Sequence, residues 1–146
     1  MTRGGWALVL GLGMEVTVTG CGGGGSLLTP TNVVVFQHEA QFTGLERFHL
    51  FADDFTVTDS GQLRITVDWT SPSDDLDLTL SNPACDAAAI VAHACKVFAT
   101  EVSNLKPAQI TMATTATAYR LFVLNRGPQT ESGTITVSVT QTRFSP

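Results

Sequence analysis

Charge is scarce in this chain. Only 14% of its 146 residues are charged, and Lys and Arg number 8 against 13 Asp and Glu. Arg47, Arg64, Lys96, Lys106, Arg120, Arg126 and Arg143 are scattered singly. Phosphate backbones and anionic membrane surfaces are held by clustered cations, so nucleic acid is excluded as a partner and no polybasic patch exists to hold a membrane. Long apolar runs are missing too. The longest, Gly5 to Met14, falls well short of the roughly 20 residues a spanning helix needs. His38, His49 and His93 stand alone, without a His-Glu-x-x-His pair, so zinc chemistry of that kind is not expected. There is no Gly-x-Ser-x-Gly elbow, no phosphate loop and no EF-hand loop. No catalytic residue is therefore assigned, and a non-enzymatic protein is expected. A set assembled from distant residues would escape this kind of reading, because such sets are defined by geometry.

What is present begins with an address. Arg3 and the short apolar run from Gly5 to Met14 have the layout of an export signal. The segment ends in Val18-Thr19-Gly20-Cys21, which resembles the lipobox of bacterial lipoproteins: an aliphatic residue, a small one, Gly or Ala, then Cys. The resemblance implies a signal peptide over residues 1–20, cleavage before Cys21, and a diacylglycerol and further acyl chain (palmitate or similar) on Cys21. Small residues at 19 and 20 let a peptidase approach the backbone. Each buried methylene adds about 0.8 kcal/mol, so several acyl chains form a durable anchor. Gly22 to Ser26 (GGGGS) gives a flexible tether of roughly 12 Å reach, within a linker over residues 21–31. Gly22 is not the Asp that retains some lipoproteins at the inner membrane, so an outer-membrane or cell-surface position in the envelope is preferred. The alternative is a secretory signal cut elsewhere, with Cys21 incidental.

Three cysteines are an odd number. Lipidation of Cys21 leaves Cys85 and Cys95 in an exported compartment, where a disulfide is expected. Closing that loop stabilises by roughly 2.5–3 kcal/mol in the chain-entropy view. Two free thiols are the alternative. A metal site is disfavoured, since the spacing is wide and only His93 is near.

Residues 32–146 read as one domain of short strands. Val33 to Gln37 is the first, and Phe42 to Leu50 holds one or two more with Gly44 as a break. The clearest are Leu63, Ile65, Val67 and Trp69, alternating with Arg64, Thr66 and Asp68, and then Leu76, Leu78 and Leu80. Cys85 to Cys95 is either a helical turn at Ala87 to Ile90 or a compact loop. Val97 to Val102 and Ala108 to Ala113 follow. Tyr119, Leu121 and Val123 form another strand, Asn125-Arg126-Gly127-Pro128 a turn, and Ile135, Val137 and Val139 the last strand. About eight strands without a convincing helix predict an all-β, antiparallel, jelly-roll-like sandwich. The alternating apolar residues from Leu63 to Val139 form its expected core, with Trp69 and Tyr119 as packing residues.

Phe55-Thr56-Val57, Gly61, the Leu63–Trp69 strand, Asp74-Asp75-Leu76-Asp77-Leu78, Tyr119 to Asn125 and Ser132-Gly133-Thr134 together resemble the bacterial pre-peptidase C-terminal domain. The resemblance covers about residues 42–141. It implies a β-sandwich in an extracytoplasmic setting and a binding role. Members usually trail secreted peptidases, and related modules in collagenases bind collagen and calcium.

Asp74, Asp75 and Asp77 are the one acidic cluster, and Asp68 at the end of the neighbouring strand is placed to join them. Calcium takes six to eight oxygens, several from carboxylates of one loop. These four are the candidate calcium ligands, and the calcium-free alternative has them bonding backbone N–H groups or facing water. The functional expectation is a lipid-anchored, non-catalytic binding or presentation module with a protein or carbohydrate ligand. A structural component of envelope assembly is the alternative, and an accessory domain related to secreted peptidases a minor one.

Overall fold

A computed structural model describes residues 29–102 and 104–145. The expected signal peptide, Cys21 and the glycine tether lie outside the described residues. Eight strands fold in the order β1 (Thr29–Leu45), β2 (Leu50–Val57), β3 (Gly61–Trp69), β4 (Leu76–Ser81), β5 (Val97–Glu101), β6 (Ala108–Thr114), β7 (Thr117–Asn125) and β8 (Glu131–Ser145), with one short helix, α1 (Ala87–Val91), between β4 and β5. They form two four-stranded antiparallel sheets, β1-β8-β3-β6 and β2-β7-β4-β5. The chain is an all-β sandwich.

The period-two pattern decides which side chains meet. Leu63, Ile65 and Val67 of β3 face Leu76, Leu78 and Leu80 of β4, with Leu121 and Val123 of β7 and Ile135, Val137 and Val139 of β8, all completely buried. Every residue of the expected core is in it, Trp69 and Tyr119 included. Tyr119 packs between Phe55 and Phe98, and its hydroxyl meets that of Thr114 at 2.6 Å. Phe42, Leu45, Phe55, Val57, Ala108 and Ile110 complete the cluster.

Three stretches differ from expectation. Thr29 to Thr31, expected as linker, are the start of β1 and pair with Ser145 to Arg143. Val33–Gln37 and Phe42–Leu50, expected as separate strands, belong largely to one 17-residue strand. Gly44, at φ 66°, makes a bulge between Phe42 and Leu45 and does not end the strand, because β8 continues to pair beyond it. The break falls instead after Leu45, at a turn where Phe48 is left-handed. The Cys85–Cys95 segment is both things the sequence allowed. Its disulfide (Cα–Cα 5.8 Å) closes a loop that contains α1, capped by Asp86, whose side chain accepts from Ala89 N–H at 2.7 Å.

The register sorts the strand ends into two poles. Thr29, Ser145, Gly61 and Val57 lie at the near pole, where the chain enters from residue 28. Leu45, Leu50, Trp69, Leu76, Asn125 and Glu131 lie at the far pole. At about 3.3 Å per residue, the 17 residues of β1 carry the chain about 50 Å from one to the other.

Leu78 is fully buried whereas Leu124, on the outer face, is only partly so. Leu78→Ala is expected to cost about 2–5 kcal/mol in chemical denaturation and Leu124→Ala clearly less; equal losses would contradict the inner and outer assignment of the second sheet.

Candidate functional site

The far pole is built by two loops, β3–β4 (residues 70–75) and β7–β8 (residues 126–130). Backbone bonds lock them together: Arg126 N–H and Gly127 N–H donate to Asp75 C=O at 2.8 and 3.2 Å. Asn125, fully buried, donates from Nδ2 to Leu45 C=O at 2.9 Å and to Gln129 C=O at 2.6 Å, so β1 is tied to the same loop. Gly127 passes so close to Asp74 that an added Cβ would lie 2.3 Å from its Cγ. Only glycine permits that approach.

Two acids are sealed inside this arrangement. Asp74 is 2% exposed and Glu131 is fully buried. Glu131 Oε2 accepts from the Thr70 hydroxyl and from Ser71 N–H at 3.0 Å. Asp74 Oδ2 accepts from Gln129 N–H at 3.0 Å, whereas Asp74 Oδ1 and Glu131 Oε1 are buried without a hydrogen-bond partner. Burial pushes the Asp74 carboxyl above the ordinary range, the Gln129 N–H opposes this, and the neighbouring Glu131 pushes it further up. Burial also raises Glu131, but the bonds from Thr70 and Ser71 outweigh it and hold Glu131 below its ordinary value. Asp75 is raised by burial and by the Asp77 charge, with Arg126 opposing.

The four expected calcium ligands do not assemble into one shell. Asp75 and Asp77 flank the buried Leu76 as the strand period predicts, but each acid has its own surroundings. Asp74 turns to Glu131. Asp77 Oδ2 accepts from Arg126 Nε at 2.8 Å. Asp68 Oδ1 accepts from its neighbour's N–H at 2.9 Å and lies 3.3 Å from Lys106 Nζ, on the other sheet. Of these four acids, Asp74 Oδ1 and Asp75 Oδ1 are buried without a hydrogen-bond partner. Among the described residues no group of three or more acids, histidines or cysteines is placed to hold a metal ion. Protein cations pair with Asp68 and Asp77. The histidines are dispersed: His38 bonds Asp53 at 2.9 Å and stacks on Phe55, His49 lies 3.7 Å from Glu46, and His93 is exposed at the end of α1.

The feature that sequence reasoning missed is an apolar groove on the outer face of the second sheet, about 420 Å³ in volume. Its floor is Phe122, Leu124 and Thr79, and α1 supplies one wall through Ile90 and Val91. Phe48 and Leu50 lie along the β2 side, Val102 lies at the opposite, β5 edge, and the Asp77–Arg126 pair closes the far-pole lip. Eight large apolar side chains are exposed among the described residues, and four of them (Phe48, Leu50, Val91, Val102) line this groove. Scattered exposed apolar residues are ordinary; here half of them gather in one groove. Arg120 stabilises the wall, since its guanidinium holds Asp54 through two 2.6 Å bonds and donates to Cys85 C=O at 2.8 Å. Phe122 and Leu124 were legible as alternating strand residues. Nothing in the sequence said that α1 would fold back over them.

No family model matches the chain, and no curated protein matches it. Among solved structures it is similar to the pre-peptidase C-terminal domain of collagenase from Bacillus anthracis, at 14% identity and a TM-score of 0.49, over 70% of this chain and 88% of that one. It is also similar to PliG of Aeromonas hydrophila, a periplasmic inhibitor of g-type lysozyme, at 18% identity and a TM-score of 0.45, over 73% of this chain and 85% of that one.

Asp74→Ala is expected to cost about 1–3 kcal/mol, because Gln129 N–H loses its partner inside the protein. Asp77→Asn breaks only a half-exposed pair and is expected to cost under about 1 kcal/mol. Urea denaturation of both variants orders the two losses, and a larger loss for Asp77→Asn would contradict the burial assigned here.

Proposed function

We propose that the chain is a lipid-anchored bacterial envelope protein whose β-sandwich is a non-catalytic binding module, and that the outer-face groove receives an apolar segment of a partner protein. The carrying observation is the concentration of exposed apolar side chains in one groove toward the pole opposite the chain's entry. An anchor on Cys21 attaches at the near pole, so the groove is held away from the membrane and open to large partners. The Cys85–Cys95 disulfide suits an oxidising compartment outside the cytoplasm. It also fixes the loop that carries the α1 wall. The resemblance of residues 42–141 to the pre-peptidase C-terminal domain is in keeping with a binding role.

A second reading is favoured by β1, a 17-residue strand at the edge of its sheet. Such an edge offers backbone groups to another chain, as in an assembly component of the envelope.

Cells expressing the full chain are expected to incorporate labelled palmitate into it and to retain it in the membrane fraction. Cys21→Ala is expected to abolish both; an unlabelled, soluble wild type would refute the anchor. A photo-crosslinking residue at Phe48 is expected to trap a protein partner, and Leu124→Asp to reduce trapping by about tenfold, near 1.4 kcal/mol, without changing the melting temperature. Trapping instead from Val34 on β1, unaffected by Leu124→Asp, would favour assembly through the edge.

A further inference from the structure

We propose that the cleft between the free edges of β5 and β6 is a second binding site, for an N-acylated amino acid with an apolar side chain and a free carboxylate. β5 is an edge of the second sheet and β6 an edge of the first, so the sandwich is open along that side. Toward the near pole the opening holds a cleft of about 430 Å³, between the start of β5 and the β6–β7 turn. This cleft shares no residue with the groove. The two sites therefore stand or fall separately.

The rim carries an unneutralised positive charge. Lys96 Nζ lies over the Phe98 ring, 4.8 Å from its centroid. A ring face holds an ammonium in place without cancelling its charge. Lys106, Arg120 and Arg126 instead face Asp68, Asp54 and Asp77. Among the described residues no acid lines the cleft. In a chain of net charge −5, the cleft is thus a local site for an anion. Asn82 stands beside Lys96, because its N–H donates to Lys96 C=O at 3.1 Å, next to the Cys85–Cys95 disulfide. Asn82 Oδ1 accepts from Ala84 N–H at 2.9 Å. That bond orients the amide and leaves the Nδ2 donors untaken by any described group. An ammonium and an amide N–H held side by side match the two oxygens of a carboxylate.

The interior has a different character. Phe98 and Met112, half-buried and packed on the core, give the cleft an apolar floor. Tyr119, only 2% exposed, also lines it. Thr114 Oγ1 donates its one proton to Thr115 C=O at 2.9 Å. The 2.6 Å contact between Thr114 Oγ1 and Tyr119 Oη is therefore carried by the tyrosine proton. Tyr119 Oη keeps its lone pairs and accepts from no other described group. It is a buried acceptor for a ligand N–H. A simple inorganic anion would use the rim alone, and a neutral apolar molecule would leave Lys96 without a partner. A carboxylate at the rim, an apolar side chain on Phe98 and Met112 and an N–H toward Tyr119 use all three features. The C-terminal residue of a peptide has this chemistry, and so does a small N-acyl amino acid.

The test is an NMR titration of the isotopically labelled full chain carrying Cys21→Ala, so that no acyl chain adds a binding surface of its own. The probes are N-acetyl-phenylalanine and the peptide acetyl-Ala-Ala-Phe, each compared with its C-terminal amide. Both acids are expected to shift the signals of Phe98, Met112 and Thr115 saturably, in the millimolar range or tighter. The amides are expected to bind about tenfold more weakly, because the bond to a charged group is lost. Lys96→Gln, at an exposed position, is expected to reduce the acids to the affinity of the amides with an unchanged melting temperature. Tighter binding of the peptide would support a protein C-terminus as the source, and equal or weaker binding the small acid. Absence of saturable shifts would overturn the proposal. So would equal affinity of acids and amides for the wild type, or acid binding that survives Lys96→Gln. Shifts confined to Ile90 and Leu124 would also overturn it, by placing the probes in the groove.

Discussion

β8 runs between β1 and β3 and pairs with both, so its 15 residues set the register of three of the four strands in the first sheet. Its alternation places Ile135, Val137 and Val139 on the inner face, where the second sheet meets them. A slip of one residue would turn all three outward, and the core would lose its central layer. The same strand begins at Glu131, the most buried acid among the described residues. Thus the strand that organises the core also carries one half of the polar junction at the far pole.

That junction is costly to build. Asp74, Asn125 and Glu131 are withdrawn from water, and each leaves an oxygen without an ordinary donor. The loops offset the desolvation with a dense set of backbone and side-chain bonds. Polar groups of this kind specify one arrangement of the loops where apolar packing alone would tolerate several. The near pole has no comparable cluster among the described residues. There β1 and β8 run on together past the end of β3 as a two-stranded extension toward the chain's entry.

The groove and the junction share Asp77 and Arg126, and this links a contact surface to the state of the loops behind it. The disulfide acts from the other side. It holds α1, a helix too short to be stable alone, against the outer face of the second sheet. One wall of the groove is thereby made from a segment that has no buried residue of its own.

The sequence by itself determined the fold class, the core and the disulfide. Alternation has a period of two, so Leu63 to Trp69 and Leu76 to Leu80 could face inward only as strands, and Cys85 and Cys95 are the pair left once the lipobox resemblance takes Cys21. Turn chemistry at Asn125 to Pro128 was legible for the same local reason. Gly44 misled, because a left-handed glycine serves a bulge as well as a break, and only continued pairing with β8 distinguishes them. Tertiary structure alone decided the partners of the acids. Asp68, Asp74, Asp75 and Asp77 are close in sequence, but their surroundings come from Lys106, Glu131 and Arg126, which the chain delivers from distant strands. It also decided the groove, since Phe48, Val91, Val102 and Leu124 share no period and meet only when two loops and a helix close over one sheet face.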